Sequence, residues 1–323
     1  MLSPIFVLGF QRSGTTLLVS MLGRSAEVQM LPSETHFYIL LWKFCCRKKV
    51  SGAQLKSYCK AVLPRVNKGW TIPENQNFLS RIFEGIGDEE MLSDNPGVIM
   101  DRFFRAWTDN ASIHTGEKTP AHIFYMKEIM KKFPNAKVIA LVRDPRAAML
   151  SEIVKLDNNK EAVVQFSLFN FIFRTQCVFD LIEKWNRKYP DNFKTYRYED
   201  IISTPEHTLK DICSFLSIEY LPSMLEVGVK NSSFGDERQT GISFNTQNAV
   251  RWKSQLNTNQ IYKTEYLLGN SMQAYGYSLS AIKGDKPTLF QRCVFSIARK
   301  LNLMFPALFH HYNRQKKYKG VRL

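Results

Sequence analysis

The stretch VLGFQRSGTT, residues 7–16, decides the fold. Its first residues close an apolar run that starts at Ile5, the kind of run found in a strand buried on both faces of a parallel sheet. Gly9 and Gly14 then bracket four residues, and Thr15 to Gly23 reads as a helix. Strand, glycine loop and helix in that order make a phosphate cradle, in which backbone N–H groups of residues 12–16 and the positive helix end face an anion. A plain glycine-rich turn shares the spacing, but Arg12, Ser13, Thr15 and Thr16 add donors that a turn does not require. Thr16 stands where the P-loop Ser/Thr belongs, whereas the lysine position holds Thr15 and the nearest cation is Arg12. In nucleoside triphosphatases that lysine reaches the β- and γ-phosphates. Its absence argues against a metal-bound triphosphate. The planar fork of Arg12 suits a 5′-phosphate and the group bonded to it.

Working outward, Val138–Val142 reads as a second buried strand, followed by Arg143, an Asp144 cap and Pro145 at the first turn of a helix. Arg143 leaves the strand end and Ser151 lies two turns along the helix, so the two are candidates to clasp a second phosphate. The competing reading pairs Arg143 with Asp144. FKTYRYEDI (193–201) reads as a third strand. Helices are expected over about 119–133, with Thr119 as cap, over 161–187, and from Pro205, where Leu209, Ile212, Cys213 and Leu216 share a face. Residues 34–110 are poor strand material and read as a mostly helical insertion forming one wall of an acceptor cleft. The alternation predicts an α/β fold, a P-loop-like, doubly wound parallel β-sheet flanked by helices. The expected domains are 1–283 and a basic amphipathic tail, 284–323.

The chain has 323 residues, and 44 Lys+Arg against 29 Asp+Glu give a net charge of +15, which favours an anionic partner. Charge by itself does not choose among a nucleotide, an acidic glycan, a nucleic acid and an anionic lipid. The six cysteines show no metal or redox spacing and read as free thiols of a reducing compartment. PIFVLGF starts at Pro4, and no uncharged apolar run reaches the ~18 residues of a spanning helix. The expected location is cytoplasmic. In the tail, Phe290, Val294, Ile297, Leu301, Met304 and Leu308 recur at spacings of three and four among basic residues. That pattern fits a helix docked on the domain by its apolar stripe. It also fits an interfacial helix making peripheral contact with anionic lipid.

GFQRSGTT (9–16) followed by VIALVRDPRAAMLS (138–151) resembles the two nucleotide-binding signatures of sulfotransferases that use 3′-phosphoadenosine-5′-phosphosulfate (PAPS). The resemblance implies that Arg12, Ser13, Gly14, Thr15 and Thr16 bind the 5′-phosphosulfate. Arg143 and Ser151, eight residues apart, would bind the 3′-phosphate. RYEDI (197–201) implies that Tyr198 lies near the nucleotide. VRWKSQLNTNQIYKTEYLLGNSMQAYGYS (250–278) implies a cover made by Arg251, Trp252 and Lys253. LPSETHFYIL (31–40) resembles the segment that supplies the general base, making Glu34 the candidate and His36 its rival. GEKTPAH (116–122) implies Lys118 beside the sulfuryl group. The likeness runs in order over residues 4–280. Arg12 replaces the lysine of the cytosolic small-molecule branch, Leu17 replaces its aromatic, and its C-terminal Arg-Lys-Gly run is absent. The chain is therefore nearer the carbohydrate, tyrosyl-protein and bacterial branches. The implied reaction is sulfuryl transfer to an acceptor hydroxyl, a carbohydrate or glycolipid before a peptide or small molecule, with PAPS as co-substrate, no nucleic acid partner and no metal. A P-loop kinase or NTPase is the alternative that the glycine spacing and Asp144 allow. A non-catalytic nucleotide- or polyanion-binding protein is the one that charge alone allows.

Overall fold

The structure, a computed structural model, describes residues 3–31, 34–40, 49–57, 82–92, 95–108, 114–158, 166–227 and 244–315. The opening apolar run is strand β1 (Ile5–Gly9), buried throughout. It lies at the centre of a five-stranded parallel sheet with β2 (Val28–Met30), β5 (His114–Lys118), β6 (Lys137–Val142) and β7 (Phe193–Arg197), in the order β2-β5-β1-β6-β7. Two short strands, β3 (Val50–Ser51) and β4 (Met91–Leu92), form a separate antiparallel pair inside the insertion.

Alternation along the strands builds a core on each face of the sheet. Phe6, Leu8, Val138, Ala140 and Val142 face one way, against Tyr125, Phe104 and the long helix Leu168–Lys188. Ile5, Val7, Ile139 and Leu141 face the other, against Leu18 and Met21 of helix Thr15–Leu22 and Leu209 and Ile212 of helix Pro205–Leu216. A parallel sheet covered on both faces is the doubly wound architecture that the strand–helix alternation predicts.

Three local expectations change. β2 escapes the sequence reading because it has three residues, and β5 because it is polar. His114–Lys118 reads HTGEK, yet Thr115, Glu117 and Lys118 are buried. The strand at 193 stops at Arg197, and Tyr198 already opens helix Tyr198–Ser203. The segment after Thr119 is first a 3₁₀ turn, Pro120–Tyr125, and only then a helix, Met126–Lys132. Thr119 makes no capping bond because its hydroxyl donates to Glu117 instead. Parts of the expected acceptor wall, residues 41–48, 58–81, 93–94 and 109–110, lie outside the described residues. Cys177, Cys213 and Cys293 are free thiols; Cys45, Cys46 and Cys59 also lie outside them.

Candidate active site

The chain runs from β1 out to one edge of the sheet, returns, and continues beyond β1 through β6 and β7. The strand order therefore reverses between β1 and β6, and such a switch point opens a crevice at the carboxyl ends of the strands. Register puts the predicted residues there. Gly9 pairs with Leu141, so the loop after β1 and Arg143 after β6 emerge side by side. Val142 pairs with Arg197, which brings Tyr198 next in line, and Lys118 ends β5 on the other side of β1.

The loop is shaped by left-handed backbone. Gly9 has φ 137° and Gly14 has φ 86°, and a Cβ on either would run into Leu141 O or the Tyr198 ring respectively. Arg12 adopts φ 68° without the freedom of glycine, the kind of strain that recurs in ligand-gripping loops. Ser13 is buried, and its hydroxyl donates back to Phe10 O, so its side chain closes the loop while its backbone lines it. Gly14 caps the helix, leaving the first-turn N–H groups of Thr15 and Thr16 pointed out of its end.

Three cationic and hydroxyl groups meet over this loop. Arg12 Nε donates to Ser151 Oγ at 3.0 Å. Arg143 Nη1 donates to the Arg12 carbonyl at 2.8 Å, and Nη2 to the Asn248 carbonyl at 2.7 Å. Its guanidinium lies 4.3 Å from the centre of the Tyr198 ring. Arg143 is thus not paired with Asp144. Asp144 instead binds Arg146, through contacts of 2.9 and 2.6 Å, and accepts the Arg146 N–H as a helix cap. Among the described residues Arg143 Nε is buried without a hydrogen-bond partner, a donor that a bound phosphate would satisfy. Burial, and secondarily the charge of Arg143, hold the Arg12 guanidinium below its usual range, against the opposing pull of Glu152. A buried guanidinium held below its usual range, with a second one beside it, favours an anion between them.

The second cluster joins the segment after β2 to the end of β5. Lys118 Nζ donates to Glu34 Oε1 at 3.0 Å, and His36 Nε2 lies 3.3 Å from Glu34 Oε2. Base candidate, rival base and candidate electrophile are therefore in direct contact, and Glu34 remains one-third exposed towards solvent. Behind them is a group the sequence reading missed. Glu117 is wholly buried and accepts hydrogen bonds from Thr35 at 2.9 Å, Thr119 at 2.8 Å and His122 Nδ1 at 2.6 Å. Burial by itself would raise this carboxyl, but His122 and the two hydroxyls outweigh it and hold it below the usual range. Thr35 is the neighbour of Glu34 and Thr119 the neighbour of Lys118, so Glu117 ties the backbones that carry both functional side chains.

The C-terminal segment reaches the loop differently from the expectation. Asn248 touches Arg143 through its carbonyl, whereas Trp252 turns inward, buried, with the Arg146 guanidinium 3.8 Å from its ring. Arg146 also binds Glu265 at 2.6 Å and Ser278 O, so Trp252 anchors the covering segment. Arg251 is part-buried and Lys253 exposed at the start of the short helix Trp252–Gln255. Glu199 receives the Asp144 N–H at 3.0 Å and the Tyr277 hydroxyl at 2.9 Å, and burial raises its carboxyl above the usual range. A periodicity argument has no signal for the contacts Arg146–Glu265 and Asp144–Glu199, whose partners lie 119 and 55 residues apart. Among the described residues no three His, Cys, Asp or Glu side chains converge in a metal-ligating group.

The strand order, the glycine loop and the crevice define a P-loop-like α/β protein. The chain belongs to the Sulfotransferase family, whose pattern it matches over residues 4–222. It is 24% identical over 241 residues to protein-tyrosine sulfotransferase 1 of Danio rerio, covering 68% of this chain and 55% of that protein. A putative protein-tyrosine sulfotransferase of Caenorhabditis briggsae is 25% identical over 52% of this chain and 62% of its own length. The chain spans between 26% and 62% of the length of the curated relatives it matches first. Among solved structures, the sulfotransferase domain from the curacin biosynthetic pathway superposes with a TM-score of 0.56 at 18% identity, over 87% of this chain and 99% of that one. The sulfotransferase domain of the Synechococcus PCC 7002 olefin synthase gives 0.56 at 17%, over 87% and 98%. These two likenesses agree with the fold.

Proposed function

We propose that this chain transfers a sulfuryl group from PAPS to an acceptor hydroxyl. The observation that carries the reading is the meeting of Arg12, Ser151, Arg143 and Tyr198 at the switch point, over a loop with no P-loop lysine. The 5′-phosphosulfate lies against the N–H groups of residues 12–16, and the 3′-phosphate against Arg143 and Ser151. Family membership supports this assignment of the two phosphates.

The reaction is an in-line displacement in which the acceptor oxygen bonds to sulfur while the bridging oxygen to the 5′-phosphate leaves. Negative charge grows on that oxygen, and Arg12, the loop amides and Lys118 stabilise it in a part-buried site. Glu34 takes the acceptor proton, with His36 as its partner at 3.3 Å. The Lys118–Glu34 contact holds both groups in place until an acceptor hydroxyl takes over one of its bonds. Arg251 and Lys253 border the nucleotide on the solvent side.

The acceptor is proposed to be a carbohydrate or glycolipid hydroxyl. The similarity to the Danio rerio protein favours a second reading, a tyrosyl hydroxyl on a peptide. Radiolabelled donor offered with glycans, glycolipids and tyrosyl peptides separates the two. Arg143→Ala should weaken binding of adenosine 3′,5′-bisphosphate by about 100-fold, the loss of charge-assisted bonds. Glu34→Ala should spare that binding and lower turnover by about 10²–10⁴-fold. Isothermal titration and a single-turnover assay read the two effects. Equal loss of binding in both variants, or binding that requires ATP and Mg²⁺, refutes the assignment.

A further inference from the structure

The described part of the tail, to residue 315, docks on the body in a way that leaves its apolar stripe outside. Helix Leu289–Met304 starts with a capping box in which Thr288 Oγ1 accepts the Gln291 N–H and the Gln291 side chain accepts the Thr288 N–H. One face fastens it to helix Leu168–Lys188. Phe295 is buried beside Phe169 and Phe173, Arg299 grips Asp180 with bonds of 2.8 and 2.6 Å, and buried Asn302 donates to Cys177 O. The following helix, Pro306–Gln315, is pinned by His310, stacked 4.4 Å from Phe124, and by Phe309 against Phe173.

At 100° per residue, Phe295, Arg299 and Asn302 share the docked face, while Leu289, Phe290, Val294, Ile297, Leu301 and Met304 lie opposite. The exposures agree: Phe290 is 77%, Ile297 61% and Met304 65% exposed, and Phe305 and Leu308 continue the stripe into the next helix. Scattered exposed apolar residues need no explanation, but a contiguous stripe along two successive helices does. Docking is achieved by a different face from the one that periodicity selects.

The charge identifies the occupant. From residue 287 to 323 there are eight Lys and Arg residues and no Asp or Glu. Arg292 and Lys300 lie in the helix itself, and Arg314, Lys316, Lys317, Lys319 and Arg322 follow it in sequence. An apolar stripe accompanied only by positive charge matches an anionic bilayer surface, which supplies acyl chains and acidic headgroups together. Among the described residues no helix is long and apolar enough to cross a membrane. We propose that helices Leu289–Met304 and Pro306–Gln315 lie in the interfacial layer of an anionic membrane, stripe inward, holding the catalytic body at the surface.

The test is flotation of the intact chain with vesicles of phosphatidylcholine alone or with about 30% phosphatidylserine, an anionic lipid. Phosphatidylserine should raise the bound fraction by about tenfold, and high salt should reverse the gain. The double variant Phe290→Glu, Ile297→Glu should lose flotation. Its melting temperature and its binding of adenosine 3′,5′-bisphosphate should match the parent, because neither side chain packs in the core. Failure of the intact chain to float, or equal flotation on both vesicles, overturns the proposal. So does undiminished flotation of the double variant. Light scattering that shows a dimer dissociated by the same variant, without flotation of the parent, assigns the stripe to a second copy instead.

Discussion

Replacing Glu117 with glutamine removes one charge from a fully buried cluster while nearly preserving its shape. The carboxylate accepts from Thr35, Thr119 and His122 at once, with the His122 contact the shortest at 2.6 Å. A glutamine carbonyl can still take the two hydroxyls, but its amide presents a donor to His122 Nδ1 in place of an acceptor. The His122 ring loses the acceptor of its shortest hydrogen bond and faces a donor in its place. Taking away the charged acceptor of a buried hydrogen bond costs more than the ~1–3 kcal/mol of a neutral one, and the two retained hydroxyl bonds limit the loss here to about 3 kcal/mol. For a chain of this size that corresponds to a fall of roughly 6 °C in melting temperature. The pH dependence gives a second handle. The folded Glu117 carboxyl lies below its ordinary value, so its stabilising contribution is complete above the unfolded carboxyl range, near ~4.3, and is lost as pH falls through the lower folded value. Glutamine has no such titration, so the gap between parent and variant should be widest near neutrality and close in acid. Because Glu117 positions the neighbours of Glu34 and Lys118, turnover should fall while binding of adenosine 3′,5′-bisphosphate persists. Calorimetric scans from pH 7 to about 3.5 measure the gap. A melting temperature within about 1 °C of the parent, or a gap constant across that range, refutes the argument.

Gly14→Ala should fail at two levels, since φ is 86° and the added Cβ meets the Tyr198 ring. A loss of about 1–3 kcal/mol in stability and a larger proportional loss of bisphosphate affinity are expected in denaturant titration and calorimetric binding. Arg146→Ala leaves buried Asp144 and Glu265 without their shared cation and removes the partner of Trp252. A loss of about 3–5 kcal/mol should appear as a lowered urea midpoint, with Trp252 fluorescence shifted to the red.

How much was legible beforehand varies from element to element. The G-x4-G spacing, the buried runs at 5–9 and 138–142, and the Asp144-Pro145 helix start are local signals, and the structure has each where the spacing puts it. β5 was not legible, because HTGEK is polar and contains glycine. Its burial depends on lying between β1 and β2, with His122 and two threonines to satisfy Glu117. The interval from Arg143 to Ser151 was legible, but their partners were not. Ser151 binds Arg12 Nε and Arg143 binds the Arg12 carbonyl, so both act on the loop as well as on any phosphate.

The sequence by itself determined which residues share a loop, a strand end or a helix face, because backbone geometry converts spacing into direction within a few residues. What lies opposite each face came only with the tertiary structure. Strand order set Arg12, Arg143, Tyr198 and Lys118 side by side at the carboxyl ends of the strands. Long-range packing turned Trp252 inward onto Arg146. In the tail, the Arg299–Asp180 pair and the Phe295 contact chose the docking face, and the apolar stripe was left outward. Periodicity identifies a surface to be covered, and only the neighbours in space decide whether the protein covers it.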